Sequence, residues 1–159
     1  MLLTPHVFVG VAIATTVPNI TISVPLSFMM HFIGDLVPHW DFYSNTTKEQ
    51  RITGWRPVAV MADLIIGVGV GLTSTYYSLW YLNDPTLALS VFLCGIASVL
   101  PDALETPHIF LKNEPRVLKI LSSLQSTLQF QAPLPWGIYS QLAVIVFASY
   151  IITTFLRSY

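Results

Sequence analysis

The residues best suited to chemistry in this chain are histidines and acids that lie within or beside its apolar segments. His31 and Asp35 are four positions apart, and Asp102 and Glu105 are three positions apart, so each pair shares one face of a predicted helix. Imidazole and carboxylate groups together are ligands that Zn²⁺ or a similar divalent ion accepts. Because a bound ion makes water acidic enough to act as a nucleophile near neutral pH, this pattern indicates hydrolytic chemistry.

The cost of placing acids in apolar segments also favours a bound cation. A charged side chain at the centre of a membrane helix costs roughly 2.5–3.5 kcal/mol, and less near the interface, so four acids could approach a total of about 10 kcal/mol. The apolar segments contain no Lys or Arg to pair with them. Protonation, hydrogen bonds to histidine, interfacial water or a bound cation must offset this cost. The four acids are Asp35, Asp63, Asp102 and Glu105.

Each candidate residue also has a purely structural interpretation, and the sequence leaves both interpretations open. His31 and Asp35 could form a hydrogen-bonded strut between helices, and Asp102 could stabilise a kink in its helix. Asp63 could pair with an arginine of the preceding loop, and His6 could be an interfacial residue. Three further residues are expected to be interfacial: His39, Asp41 and His108.

The composition places these residues in a membrane protein. Of the 159 residues, 53% are hydrophobic and 9% are charged, and the mean hydropathy is +0.65, whereas a soluble domain carries about 25% charged residues. The net charge of −1 gives no basis for nucleic-acid binding, and the single Cys94 excludes a disulfide framework or a CxxC metal site. We expect one membrane domain over residues 1–159, with mature sequence at its N-terminus because a signal-peptide pattern is lacking.

The apolar segments predict an all-α, polytopic bundle of about five membrane segments. Thr4 and Pro5 are typical of a helix start, with Thr as the cap. The first two helices, from there to about Val17 and from about Ile20 or Val24 to Val37, are shorter than the roughly 20 residues needed to span a bilayer. They are expected to form a thin or re-entrant hairpin whose ends return to one face. Longer helices are predicted over about 57–81, 86–105 (kinked at Pro101) and 136–156.

The helix predicted over about 57–81 carries a glycine pair at its centre and aromatic residues at its far end. Gly67 and Gly71 form a GxxxG pair that lets another helix approach closely, so this face could support a homo- or hetero-oligomer. Tyr76, Trp80 and their neighbours form an interfacial aromatic belt.

Two polar segments, 42–56 and 109–133, connect the helices on one side of the membrane. Apolar residues recur at helical spacing over 116–130, which predicts an amphipathic helix in the interface that could cover the site, or a connector packed on the bundle. The N-terminal side carries six basic residues and the opposite side carries only Arg157. This asymmetry predicts that the N-terminus and both segments are cytoplasmic and the C-terminus lies on the opposite side.

At these residues the chain resembles a family of small prokaryotic integral membrane proteins described as membrane-bound metal-dependent hydrolases. The resemblance lies in Thr4-Pro5-His6, in residues 31–41 (HFIGDLVPHWD) and in residues 100–105 (LPDALE). It is best over the first 45 residues and touches the second half around 95–110. The His-x-x-x-Asp element also looks like one in zinc-dependent phospholipases C and related nucleases. Many family members carry a His-Arg-Gly-x-Thr-His-Ser-like stretch, whereas residues 124–131 here contain no histidine.

The resemblance implies a divalent metal ion, preferably zinc, in a protein of the prokaryotic cytoplasmic (inner) membrane. The implied ligands are His6, His31, Asp35, Asp102 and Glu105. In the expected scheme Glu105 or Asp63 orients or deprotonates the water.

The expected function is hydrolysis of a phosphoester or lipid-linked substrate, such as a lipid head group or polyprenyl phosphate, at the cytoplasmic interface. One alternative is a non-enzymatic subunit of a membrane assembly. Another is an ion- or proton-translocating component, for which polar residues should continue across the bilayer. The polar residues available for such a path are Ser78, Ser90, Ser98, Ser140 and Gln141.

Overall fold

The helices of the protein follow the apolar segments of its sequence. A computed structural model describes residues 1–42, 46–51, 53–110 and 116–158, with the backbone but not the side chains described at 48, 105–110, 117–119, 121–122 and 124. The described residues form α1 (Leu3–Thr16), α2 (Ile20–Asp35), α3 (Lys48–Arg51), α4 (Arg56–Tyr76), α5 (Pro85–Phe110), α6 (Arg116–Leu128) and α7 (Trp136–Ser158). A π-helical turn, Tyr77–Tyr81, continues α4. Within these residues the only β-type pairing is one isolated bridge, which confirms the all-α prediction.

Three helices of the described chain are long and apolar enough to cross a membrane. They are Arg56–Tyr81, Pro85–Leu104 and Trp136–Ser158. The shorter α1 and α2 have 14 and 16 residues, or about 21–24 Å at 1.5 Å per residue, against a hydrocarbon core of about 30 Å. Large apolar side chains of α4 and α7 such as Ile65 and Val146 are more than 60% exposed, a surface suited to lipid. The predicted membrane bundle with two short leading helices is confirmed.

The first two helices form the expected hairpin. Asn19 caps α2 by accepting a hydrogen bond from the Thr21 N–H at 3.0 Å, which fixes the turn between the helices. At the other end the amino group of Met1 lies 2.5 Å from Asp35 Oδ1. Since Met1 precedes α1 and Asp35 ends α2, the two outer ends of the hairpin meet at one face.

The start of α1 is capped differently from the prediction. Thr4 lies inside α1, and the residue before the helix, Leu2, makes no capping hydrogen bond through its side chain. Asp63 of α4 supplies the acceptor: its carboxylate receives the N–H groups of Leu3 at 2.7 Å and Thr4 at 3.2 Å, and the Thr4 hydroxyl at 2.6 Å. The prediction that Thr4 caps the helix was wrong because a carboxylate from a distant helix satisfies these groups.

The first helix is the centre of the bundle and packs against α2, α4, α5 and α7. Its apolar residues Val7 and Val11 join Val91 and Cys94 of α5 in the buried core. A Cβ atom on Gly67 would collide with a side chain of α1, so this glycine permits the close approach that the GxxxG pair predicted. That approach is made within the chain, and oligomer formation through the same face stays a prediction.

The last part of the α5–α7 connection packs back onto the hairpin. The helix α6 contacts α2 and α5, while Ile120 on its other side is 70% exposed. Residues 129–132, here called the strap, follow α6. Phe130 N–H donates to the Asp35 carbonyl at 3.0 Å, and His39 N–H donates to the Phe130 carbonyl at 2.9 Å. These bonds hold the C-terminal end of α6 against the end of α2; an interfacial position for α6 stays a prediction.

The fifth helix runs beyond its predicted end. It continues from Pro85 to Phe110, past Glu105, with Pro101 inside it. A proline removes one backbone hydrogen bond, but helices packed in membranes tolerate this loss when neighbouring groups satisfy the freed carbonyl. The kink at Pro101 stays a prediction.

Candidate metal centre

Three helices bring together three residues that could hold a metal ion. His6 of α1, His31 of α2 and Asp102 of α5 each offer a ligand atom, and these atoms all lie within 4.8 Å of one another. Both histidines are 1% exposed, whereas the Asp102 side chain is 31% exposed. The group therefore has a buried side formed by imidazoles and a more accessible side formed by a carboxylate.

The imidazole nitrogens of this site lie farther from the carboxylate oxygens than in a good hydrogen bond. His31 Nε2 lies 3.5 Å from Asp102 Oδ1 and 3.5 Å from Asp35 Oδ2, and His6 Nε2 lies 3.4 Å from Asp35 Oδ1. Good N–H···O bonds are about 2.7–3.2 Å long. Two ligand atoms bound about 2.0–2.1 Å from one tetrahedral ion are about 3.3–3.4 Å apart. The distance from His31 Nε2 to Asp102 Oδ1 is therefore close to a tetrahedral edge, whereas Asp35 approaches the two histidines with two different oxygens.

Two polar atoms at this site are buried without a hydrogen-bond partner among the described residues. They are His6 Nε2 and Asp35 Oδ2. Leaving a buried polar atom unsatisfied costs about 1–3 kcal/mol, and more for a charged group. A cation bound between the imidazoles and the carboxylates would satisfy both atoms, so the donor set of this site fits a divalent ion.

The orientation of His31 is fixed by the backbone of α5. Its Nδ1 lies 2.8 Å from the Ser98 carbonyl oxygen. Because a carbonyl oxygen only accepts, Nδ1 carries the proton and donates it, and the lone pair is left on Nε2 facing the carboxylates. Metal-binding histidines commonly have this support, which sets the tautomer and the direction of the ring.

The orientation of His6 depends on close packing against α2. Its ring stacks on His31 with the centroids 4.0 Å apart and an interplanar angle of 21°. A Cβ atom on Gly34 would lie 3.2 Å from His6 Cε1 and 3.4 Å from His6 Nδ1. Glycine at position 34 therefore leaves room for the imidazole beside the last turn of α2.

Two acids of the apolar helices are partly compensated by groups outside the histidines. The amino group of Met1 contacts Asp35, and the start of α1 donates to Asp63. Sequence reasoning did not consider main-chain donors and missed both the amino group of Met1 and the N–H groups at the start of α1. Asp63 is directed to the N–H groups of α1 rather than to the group formed by His6, His31 and Asp102, and its catalytic role stays a prediction.

The predictions for Glu105, His108 and His39 have different outcomes. The side chains of Glu105 and His108 lie outside those that the structure describes, so the ligand or base role of Glu105 stays a prediction. His39, expected to be interfacial, is fully buried. Burial lowers the pKa of His39, and its Nδ1 lies 2.8 Å from the Val37 carbonyl, which makes it a neutral donor that fixes the turn after α2.

Comparison of the chain with protein-family models, with curated proteins and with solved structures finds no match in any of the three. The resemblance to membrane-bound metal-dependent hydrolases therefore stays a prediction. The function has to be inferred from the geometry of the site.

Gln125 is the site residue that sequence reasoning missed. It lies on α6 and is 1% exposed. Its Nε2 donates to Asp102 Oδ1 at 2.5 Å and lies 3.5 Å from His31 Nε2. Residues 124–131 contain no histidine, but the glutamine within them reaches the site.

Proposed function

We propose that the protein is a membrane-embedded, metal-dependent hydrolase that acts on a phosphoester or lipid-linked substrate. One observation carries the proposal: His6 Nε2 and Asp35 Oδ2 are buried without hydrogen-bond partners among the described residues, beside ligand atoms that lie within 4.8 Å of one another. Zn²⁺ is the preferred ion because imidazoles and carboxylates are its common ligands in catalytic sites.

The residues of the site divide into ligands and supports. His6, His31 and Asp102, with Asp35 beside them, would hold the ion, which when bound supplies an acidified water and a Lewis acid for the phosphoryl oxygen. The Ser98 carbonyl keeps the proton of His31 on Nδ1 and so leaves Nε2 free to bind. Asp102 is the most accessible member, so we place the substrate on its side of the group.

A second feature supports a substrate at the lipid–water boundary. The site is built where Met1, at the start of the hairpin, meets Asp35, the last residue of α2. Helix ends of a membrane bundle lie near the interface, which is the depth of phosphate head groups. We therefore propose a lipid phosphoester as the substrate and, from the asymmetry of basic residues, the cytoplasmic leaflet of an inner membrane as its location. Glu105, one turn after Asp102 on α5, is the proposed base.

The test is metal-dependent hydrolysis by protein purified in detergent without chelator. Bis(p-nitrophenyl) phosphate and a fluorescent phospholipid serve as substrates. We expect EDTA to abolish turnover, Zn²⁺ to restore it, and Asp102→Asn to lower it by a factor of 100 or more. The matched control is Asp84→Asn at the other end of α5, where Asp84 accepts the Leu87 N–H at 2.8 Å and asparagine caps equally well. Turnover that is independent of metal, or unchanged in Asp102→Asn, would contradict the proposal.

A buried polar seam supports translocation of protons or ions as a second candidate function. The site residues of α2 and α5 continue a series of small polar residues that recur every four positions along each helix. Ser23 Oγ lies 3.3 Å from Ser90 Oγ across the interface between α2 and α5. Ser27 Oγ is buried without a hydrogen-bond partner among the described residues. From Ser23 to Asp35 the seam spans twelve residue steps along α2, or about 18 Å. Its buried members are Ser23, Ser27, His31 and Asp35 on α2 and Ser90, Cys94 and Ser98 on α5, and it ends at the partly exposed Asp102.

Two polar residues that the sequence offered for a translocation path, Ser140 and Gln141, are not members of the seam. Ser140 and Gln141 of α7 donate to the carbonyls of Pro38 and Trp40, so they tie α7 to the segment after α2. Proteoliposomes containing a pH-sensitive dye separate the two functions. Proton flux that is lost in a Ser23→Val, Ser90→Val double variant would favour translocation, and proton-tight vesicles that hydrolyse the phosphoester would exclude it.

A further inference from the structure

Gln125 is a buried polar residue on a helix whose other described polar side chains are exposed. Ser123, Ser126 and Thr127 of α6 are exposed, whereas Gln125 is 1% exposed. Burying an amide is unfavourable unless hydrogen bonds compensate it. Its Nε2 donates a hydrogen bond to Asp102 Oδ1 at 2.5 Å, but its Oε1 has no hydrogen-bond partner among the described residues. The position of Gln125 is therefore explained by the site into which it reaches rather than by packing of α6 alone.

The contacts of α6 and the strap reach two acids of the site on two different helices. Gln125 donates to the Asp102 side chain on α5. Five residues later, Phe130 N–H donates to the backbone carbonyl of Asp35 on α2 at 3.0 Å. These two bonds place α6 across the end of the α2–α5 interface, with the amide of Gln125 against His31 and Asp102.

We propose that Gln125 is a positioning residue of the metal centre and that it couples the docking of α6 to metal binding. The proposal rests on the metal centre proposed above and goes beyond the hydrolytic function. The Gln125 N–H orients the Asp102 carboxylate, and the same bond holds α6 over the centre as a cover. Because the docked α6 favours the liganding position of Asp102, binding of the ion must in turn favour the docked α6.

Methionine and glutamate at position 125 are expected to affect the metal centre and the docking of α6 differently. Methionine keeps the size of the side chain but removes the hydrogen bond to Asp102. Glutamate keeps the shape but places a second carboxylate beside Asp102, which repels it when no ion is present. With a divalent cation bound, the added negative charge becomes favourable. A residue that only packs α6 onto the bundle would not reverse the sign of its effect with metal.

The experiment compares wild type, Gln125→Met, Gln125→Glu and the control Gln129→Met in detergent. Gln129 follows α6 and is half-buried. Zn²⁺ affinity is measured by competition with a chromophoric chelator, and docking by hydrogen–deuterium exchange of the α6 amides with and without Zn²⁺. We expect Gln125→Met to bind Zn²⁺ about 10–100-fold more weakly, the usual loss for a residue that supports a metal ligand. In Gln125→Glu, α6 should exchange faster than wild type without Zn²⁺ and at least as slowly with it.

The outcomes separate this proposal from the metal centre itself. Wild-type Zn²⁺ affinity and Zn²⁺-dependent protection of α6 in Gln125→Met would overturn the coupling while leaving the centre intact. A wild-type protein that binds no Zn²⁺ would overturn both. If Gln125→Met does not fold, Gln125→Glu decides alone: the same exchange of α6 as wild type in both conditions would contradict the proposal. Gln129→Met should match wild type throughout.

Discussion

The rings of His6 and His31 stack with their centroids 4.0 Å apart, and both are almost fully buried. Two imidazoles at this distance cannot both be protonated without strong repulsion. The stack therefore permits at most one protonated ring, and a neutral ring leaves a free nitrogen that can bind a cation. Because His6 belongs to α1 and His31 to α2, the same contact joins the two helices of the hairpin and builds the imidazole side of the proposed centre.

Gly34→Ala tests whether the position of His6 matters for the site. The added methyl group would lie 3.2 Å from His6 Cε1 and 3.0 Å from Met1 Cε, so the His6 ring and the end of the Met1 side chain must each move by a few tenths of an ångström. We expect a loss of stability of about 1–3 kcal/mol, typical of overpacking, and weaker Zn²⁺ binding. Thermal unfolding and chelator competition measure the two effects.

The matched control for this change is Gly69→Ala in α4. A Cβ atom there meets nothing within 4 Å. Replacing glycine by alanine inside a helix increases the free energy of unfolding by about 0.5–1 kcal/mol. Gly69→Ala should therefore bind Zn²⁺ as wild type does. Equal Zn²⁺ affinity in Gly34→Ala would show that the packing of His6 against α2 does not position a ligand.

Asp63→Ala tests the role that the structure gives to this acid. Its carboxylate accepts the N–H groups of Leu3 and Thr4, and loss of a helix cap costs about 0.5–2 kcal/mol. We expect lower stability in thermal unfolding with an unchanged Zn²⁺ stoichiometry, because Asp63 lies outside the His6–His31–Asp102 group. Loss of the metal in Asp63→Ala would instead assign Asp63 to the centre.

Several parts of the fold and site could be predicted from the sequence because they depend on local spacing. The turn residue Asn19 and the lengths of the first two apolar segments predicted a hairpin, and the hairpin brings its ends together. The four-residue spacing of His31 and Asp35 predicted a shared helix face. With Asp102 near the corresponding end of α5, the convergence of imidazole and carboxylate groups followed from topology.

Other parts depend on contacts between distant segments and could not be predicted. Asp63 caps α1 across sixty positions of sequence, and no local pattern marks an acid as the cap of another helix. Gln125 is a neutral residue on an amphipathic helix, where its type favours a solvated position. Only the packing of α6 on α2 and α5 turns its amide towards His31 and Asp102.

Addition of Zn²⁺ should stabilise the folded protein. An ion that binds only the native state adds about 2.7 kcal/mol at a free concentration 100 times its Kd. We expect thermal unfolding in detergent to shift upward with Zn²⁺ and downward with EDTA. His31→Gln should remove the Zn²⁺-dependent shift, whereas the control Asp84→Asn should retain it. A shift of equal size in His31→Gln would mean that Zn²⁺ binds elsewhere.

X-ray absorption spectroscopy at the zinc edge of protein loaded with one equivalent of Zn²⁺ tests the metal centre most directly. The structure predicts a shell of nitrogen and oxygen atoms at about 2.0–2.1 Å, including two imidazoles, and no sulfur. The same measurement on His6→Ala should show loss of one imidazole. The account is contradicted if the protein retains no stoichiometric zinc, or if the shell contains sulfur at about 2.3 Å, which would place the ion at Cys94 or a methionine instead of His6, His31 and Asp102.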